Sequence, residues 1–161
     1  MSYKVVVEEG NLRFSAAHFI TFMGKCERLH GHNYALSVEL AGELTGDGYV
    51  FDFVELKSIL RRICDSLDHR FLIPLGNEHL SVQKSAKEWE VRFGERRYVF
   101  PAPDVLPLPV DNITAERLAE YVCDQVVERL GEQGPANLSS ITVGVEEAPG
   151  QTAYHTRSLC Q

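Results

Sequence analysis

Apolar and polar residues alternate through the early part of the chain with the period of two that an extended strand requires. Leu12, Phe14, Ala16 and His18 share one parity. Tyr34, Leu36, Val38 and Leu40 form a second apolar row, against which Asn33, Ser37 and Glu39 make a polar side. Each row ends in histidine: His18 closes the first, and His30 and His32 lead into the second at its own parity. If the two strands pair antiparallel through the loop from Ile20 to Leu29, all three rings converge. Helical spacing then takes over. Leu56, Ile59, Leu60, Ile63 and Leu67 follow Asp52, an N-cap residue with Glu55 in the capping-box position. A second helix follows Thr114, with Glu116 in its first turn and Leu118, Tyr121, Val122, Val126 and Leu130 as its stripe, and Gly131 and Gly134-Pro135 stop it. Ile141, Val143 and Val145 alternate with Thr142, Gly144 and Glu146 as a third strand, and Thr152 to Leu159 forms a weaker fourth. This order predicts an α+β architecture, a four-stranded, mostly antiparallel sheet with two helices on one face.

The stretch from Glu78 to Val110 interrupts the plan. Glu88 to Val91 and Arg96 to Phe100 flank Arg92-Phe93-Gly94-Glu95 as a hairpin, and the proline-rich run Pro101 to Pro109 follows as irregular chain. Trp89, Val91, Tyr98 and Phe100 predict that this insert packs on something, while Arg92, Arg96 and Arg97 suit a solvated face or an oligomer contact. With 161 residues, 44% apolar and 24% charged, the chain suits a single domain, 1–161, carrying an insert at about 78–110. Its net charge of −7 disfavours nucleic acid or an anionic membrane as partner, since neither phosphate backbone nor lipid surface would be neutralised. An anionic small substrate stays open if Lys and Arg gather locally. The N-terminus shows no charged-then-apolar leader, and no apolar run reaches about 18 residues, which predicts a cytoplasmic protein. In a reducing compartment the four cysteines would stay free. Cys64 and Cys123 fall in helical stripes as small core residues, and Cys160 is uninformative. Cys26 differs, because it lies in a loop beside Lys25 and Arg28, surroundings that lower a thiol pKa.

Three neutral imidazoles leave one position of a tetrahedral zinc open, the arrangement of a catalytic site; Cys26 could close it as a structural one. Solvent-facing histidines on an edge strand are a further alternative, against which the parity argues. Asp68-His69 ends the first helix, where packing requires neither, and a helix C-terminus favours a cationic imidazole. A plain surface Asp-His pair is the alternative reading. Glu147 follows Val145 at core-facing parity, and a carboxylate there needs donors; a ligand ring with N–H and amino groups would supply two. Glu146 faces the opposite side and reads as solvated.

Phe14-Ser15-Ala16-Ala17-His18, Cys26-x-x-x-His30-Gly31-His32, Asp52-Phe53 with Leu56-Lys57, Leu67-Asp68-His69, Thr114-Ala115-Glu116-x-x-Ala119 and Glu147-Ala148-Pro149 together resemble the 6-pyruvoyltetrahydropterin synthase and 6-carboxytetrahydropterin synthase family of the tunnelling fold (T-fold). The resemblance covers most of the chain. It implies zinc held by His18, His30 and His32, a proton-transfer group of Cys26, Asp68 and His69, and Glu147 as anchor of a pterin ring. It also implies 7,8-dihydroneopterin triphosphate as substrate and an oligomeric barrel, a homohexamer, with active sites between subunits, so that Glu147 and the zinc cluster could come from different chains. The leading expectation is a lyase making 6-carboxytetrahydropterin, acetaldehyde and triphosphate, a step toward queuosine-type deazapurines. The runner-up eliminates triphosphate to give 6-pyruvoyltetrahydropterin, and a third reading, of another class, is a non-catalytic zinc-binding assembly protein. A family variant with glutamate in place of the cysteine, acting as an aldolase, is disfavoured by Cys26. The chain departs from shorter members at Ile73-Pro74 and in the insert.

Overall fold

A change of parity shapes the first strand. The computed structural model describes residues 2–131 and 135–159, so Gly134 of the expected helix stop and Cys160 lie outside the described residues. In it β1 (Tyr3–His18) pairs antiparallel with β4 (His30–Gly42). Between the pairs Glu8↔Ser37 and Arg13↔Ala35, β1 spends three more residues than β4. An odd insertion exchanges the two faces. Val7 is therefore buried at odd parity before the bulge, and Leu12, Phe14, Ala16 and His18 at even parity after it. Arg13 Nε donates to the Gly10 carbonyl at 3.0 Å across the bulge. The loop between the two strands holds a small hairpin, β2 (Thr21–Phe22) and β3 (Lys25–Cys26). Its turn, Met23-Gly24, has φ of 48° and 72°, the two positive values that a type I′ turn demands and that glycine tolerates best.

β10 (Leu138–Ala148) pairs antiparallel with β4, and β11 (Gln151–Ser158) with β10. These four strands are the sheet read from the sequence. The sheet continues past β1, however: β5 (Arg70–Pro74) runs parallel to β1, and β9 (Val105–Leu108) parallel to β5, giving six strands in the order β11-β10-β4-β1-β5-β9. The expected four-stranded sheet is thus corrected to six. The cause lies at the end of α1 (Phe53–Leu67). Ser15 N–H donates to Asp68 Oδ1 at 2.7 Å, and His69 N–H donates to the Ser15 carbonyl at 2.7 Å. His69 takes a left-handed φ of 54°, and the chain is delivered onto the free edge of β1. β9 falls inside the proline-rich run expected to be irregular; as the outermost strand it accommodates Pro107.

Both helices lie on one face. α1 is capped by Asp52, whose carboxylate accepts from Val54 N–H and Glu55 N–H; α2 (Ala115–Leu130) is capped by the Thr114 hydroxyl, which accepts from Arg117 N–H. Leu56, Leu60, Ile63 and Leu67 of α1 and Leu118, Val122 and Val126 of α2 share one core with Phe14, Tyr34, Val38 and Val143 of the sheet. Each such apolar side chain contributes about 1.5–3 kcal/mol on burial.

The insert is a three-stranded sheet, β6 (Ser81–Lys84), β7 (Glu88–Phe93) and β8 (Arg96–Pro101), one strand more than the expected hairpin. Trp89 pairs with Phe100 and Val91 with Tyr98. These four face a second apolar cluster with Phe19, Cys26, Phe71, Ile73 and Val105. Strand β5 divides the two cores: Leu72 joins the helices, and Phe71 and Ile73 join the insert, as alternation demands. On the insert's outer face Arg92 and Arg97 pair with Glu90 at 2.5 and 2.6 Å.

Candidate metal centre

The register of β1 on β4 sets His18 opposite His30 and Ala16 opposite His32. Their ring centroids form a nearly equilateral triangle, 4.7 Å between His18 and His30, 5.1 Å between His18 and His32 and 4.9 Å between His30 and His32. One nitrogen of each ring lies within 4.8 Å of the other two. The outer nitrogens determine what the inner ones can do. His18 Nδ1 lies 2.8 Å from the Ile113 carbonyl and His30 Nδ1 lies 2.7 Å from the Arg28 carbonyl. A carbonyl only accepts, so both protons sit on Nδ1 and both Nε2 atoms present lone pairs. Those lone pairs face each other at 3.2 Å, an arrangement that repels unless a cation sits between them. His32 Nε2 is buried and has no hydrogen-bond partner. Burial pushes the His18 imidazole below its ordinary pKa, against the opposing pull of the Ile113 bond, and so favours the neutral form that a metal ligand must have. Two imidazoles anchored outward through Nδ1, with a third whose buried Nε2 is unpartnered, fit a divalent metal ion, the Ile113 and Arg28 carbonyls acting as groups that orient its ligands.

Residues just before α2 help to build this floor. Asn112 Oδ1 accepts from Thr21 N–H and its Nδ2 donates to the Thr21 carbonyl, at 3.2 and 2.8 Å. This clasp holds the following Ile113 carbonyl under His18. A cavity of about 570 Å³ opens above, walled by the three histidines together with Glu27, Glu116 and Glu147. Glu147 Oε1 lies 3.7 Å from His32 Nε2, so the Glu147 carboxylate and the histidines stand together in one chain. Thr114, the N-cap of α2, and Glu116 in its first turn also line the cavity, whereas sequence reasoning used them as helix-start signals and as part of the family motif, without a site role.

Glu27 is the residue that sequence reasoning missed. Its Oε2 lies 4.0 Å from His30 Nε2, and it accepts weakly from Ile20 N–H at 3.4 Å. Cys26 beside it points elsewhere. Neighbouring side chains of an extended segment face opposite ways, and the Cys26 sulfur enters the second apolar cluster, while Glu27 enters the cavity. The expected low thiol pKa is reversed: burial pushes it up, and the only cation that draws it down is Arg96 of the insert, not Lys25 or Arg28. Cys26 is also absent from the metal-ligating group. Parity counted from Cys26 was the available signal for Glu27.

Asp68 and His69 stand together, Asp68 Oδ2 being 2.8 Å from His69 Nδ1. The Ser15 N–H bond, with His69 beside it, holds the Asp68 carboxyl below the usual range. The His69 side chain is 83% exposed and lines a different cavity, of about 510 Å³, shared with Ser15, Ala17, Gly31 and Asn33. His32 lines this cavity too, while neither Asp68 nor His69 lines the cavity that holds all three imidazoles. Among the described residues no helix is long and apolar enough to cross a membrane.

Residues 9–158 match the family model described as 6-pyruvoyl tetrahydropterin synthase. A protein of Methanocaldococcus jannaschii named putative 6-carboxy-5,6,7,8-tetrahydropterin synthase is 37% identical over 149 residues, covering 92% of this chain and 91% of its own. The crystal structure of 6-pyruvoyl tetrahydropterin synthase from Plasmodium vivax superimposes with a TM-score of 0.94 at 33% identity, covering 98% of this chain and 99% of that one. An alanine-for-glutamate variant of that protein is described as a catalytic residue mutant. A shorter match, 42% identical over 59 residues, 37% of this chain and 50% of the relative, is to the dihydroneopterin monophosphate aldolase of Pyrococcus furiosus.

Proposed function

The chain belongs to the 6-pyruvoyl tetrahydropterin synthase family, and on that premise we propose that it is a zinc-dependent lyase that converts 7,8-dihydroneopterin triphosphate to 6-carboxytetrahydropterin, acetaldehyde and triphosphate, in the supply of deazapurines such as queuosine. The observation that carries the proposal is the convergence of one nitrogen from each of His18, His30 and His32, with His32 Nε2 buried and unpartnered, on a cavity that Glu147 also lines. His18, His30 and His32 would hold the ion. Zinc held by them would supply Lewis-acid chemistry, making the bonds beside the substrate's side-chain oxygens more acidic.

The chain's own groups do the rest. Glu147 accepts from the ring N–H and amino group of the pterin, which satisfies a partly buried carboxylate and orients the side chain toward the histidines. Glu27 is the carboxylate within reach of the reacting carbons and takes the proton that leaves them. Asp68 holds His69 by its Nδ1, so that His69 Nε2 is free to return a proton. Because His69 does not line the cavity that holds all three imidazoles, we assign that step to a neighbouring subunit of a homohexamer in the cytoplasm. Among the described residues the histidine cavity is lined by Glu27, Glu116 and Glu147 and by no lysine or arginine, so we assign the countercharge for the triphosphate to the same neighbouring subunit.

Glu27 also favours a second reading, an aldolase acting on the same pterin side chain, because the residue next to the cysteine supplies the carboxylate which that chemistry uses. The presence of Cys26 alone does not discriminate. Incubating the zinc-loaded protein with 7,8-dihydroneopterin triphosphate and identifying products by mass spectrometry separates the readings. A 6-carboxylated pterin with acetaldehyde is the expected outcome. A 6-pyruvoyl product or a hydroxymethyl pterin with glycolaldehyde phosphates would replace it, and unchanged substrate on zinc-loaded, assembled protein would refute the catalytic reading.

A further inference from the structure

The insert reaches the loop that carries Glu27. Arg96, the first residue of β8, sends its Nη1 to the Cys26 carbonyl at 2.9 Å and to the Glu27 carbonyl at 3.0 Å, across some seventy residues of chain. Alternation along β8 explains why this arginine does so and its neighbour does not. Arg96, Tyr98 and Phe100 share the inward parity, while Arg97 faces outward and binds Glu90. The same inward face holds the Cys26 side chain, through the cluster of Trp89, Val91 and Phe71. The Cys26-Glu27 segment is therefore gripped twice by the insert, at its two successive carbonyls by a guanidinium and at the Cys26 thiol by apolar packing. On the β2 side Glu27 N–H donates to the Ile20 carbonyl at 3.0 Å.

A half-turn of this extended segment about its own axis would exchange the two side chains between the apolar cluster and the cavity, and a thiol and a carboxylate in that cavity have different chemistry. We propose that the insert is a positioning device for the metal site, in which Arg96 clamps the Cys26–Glu27 peptide so that the carboxylate, and not the thiol, faces the three imidazoles. Arg96 is a positioning residue; it acts through Glu27 and touches no reacting atom. This inference rests on the reading of the histidine cavity as the active site, and it gives the insert, which the metal ligands do not need, a function.

The test uses the zinc-loaded full chain in a Cys160→Ser background, since Cys64 and Cys123 are buried. Thiol modification by a chromogenic disulfide reports which way Cys26 faces, independently of turnover. In Arg96→Met the modification rate rises about tenfold or more and kcat falls about tenfold, the effect of losing a charged donor shared by two carbonyls, with KM and zinc content unchanged. Arg96→Lys, which keeps a charged donor, restores part of both. An unchanged modification rate in Arg96→Met overturns the clamp whatever happens to kcat. A raised rate with unchanged kcat overturns the role of Glu27 instead, and leaves the clamp as a purely structural contact.

Discussion

Replacing Cys26 by serine and, separately, Glu27 by glutamine separates a packing residue from a chemical one. The Cys26 sulfur sits among Phe19, Phe71, Ile73, Trp89 and Val91, and the residue is 9% exposed. The shorter C–O bond of serine draws its hydroxyl back from the polar groups beside the sulfur, the Glu27 carbonyl and the Arg96 guanidinium. Burying a poorly satisfied hydroxyl costs about 1–3 kcal/mol, and in a chain of this length each kcal/mol lowers Tm by roughly 2–4 °C. Cys26→Ser should therefore melt several degrees lower and, once folded, turn over at close to the parent rate. Glu27→Gln is the opposite case. Its carboxylate makes one long bond, to Ile20 N–H, so stability should change by no more than about 0.5 kcal/mol. Removing a positioned base should lower kcat about 10²- to 10⁴-fold, which is about 2.7–5.4 kcal/mol of barrier. The assay combines calorimetric melting, zinc content by atomic emission and steady-state turnover on the pterin triphosphate. If Cys26→Ser melts with the parent and loses turnover, while Glu27→Gln keeps it, the division of labour argued from the two side-chain directions is wrong.

Four further outcomes are expected. His30→Ala, which removes an exposed ligand with little packing, should leave the fold intact and lower bound metal well below one ion per chain, read by atomic emission; full retention would refute the three-imidazole centre. In metal-free protein the depressed pKa of buried His18 makes the unfolded chain the better proton acceptor below about pH 6.5. Stability is then fully present above that value and falls as the pH drops toward the lower folded value, by at most about 1.4 kcal/mol per pH unit; urea midpoints at pH 7.5 and 5.5 should show this fall in the parent and lose part of it in His18→Gln. Gly144→Ala should cost about 1–3 kcal/mol through overpacking, because the added carbon would meet Ser37 Oγ and the Tyr154 ring, measurable by denaturant unfolding. Asp52→Ala, which frees Val54 N–H and Glu55 N–H at the start of α1, should cost about 0.5–2 kcal/mol in the same assay.

Local pattern decided a good part of this protein. The period of two placed three histidines at the ends of core-facing rows, and the register of β1 on β4 needed only an antiparallel pairing to bring them together. Both helices, with Asp52 and Thr114 as caps, follow from helical spacing and short-range hydrogen bonds. These features are legible because they depend on neighbours within a few residues. Tertiary structure decided the rest. The three-residue bulge that swaps the faces of β1 leaves no mark in an alternation read only from Leu12 onward. Strands β5 and β9 exist because Asp68 and His69 bond to the Ser15 peptide, 53 residues away, and set the chain against a free strand edge. Whether Cys26 or Glu27 meets the metal site is a question of which face of a two-residue strand turns inward. The answer comes from an apolar cluster and a guanidinium supplied by residues 71–105, a contact between distant segments that no periodicity within the loop encodes.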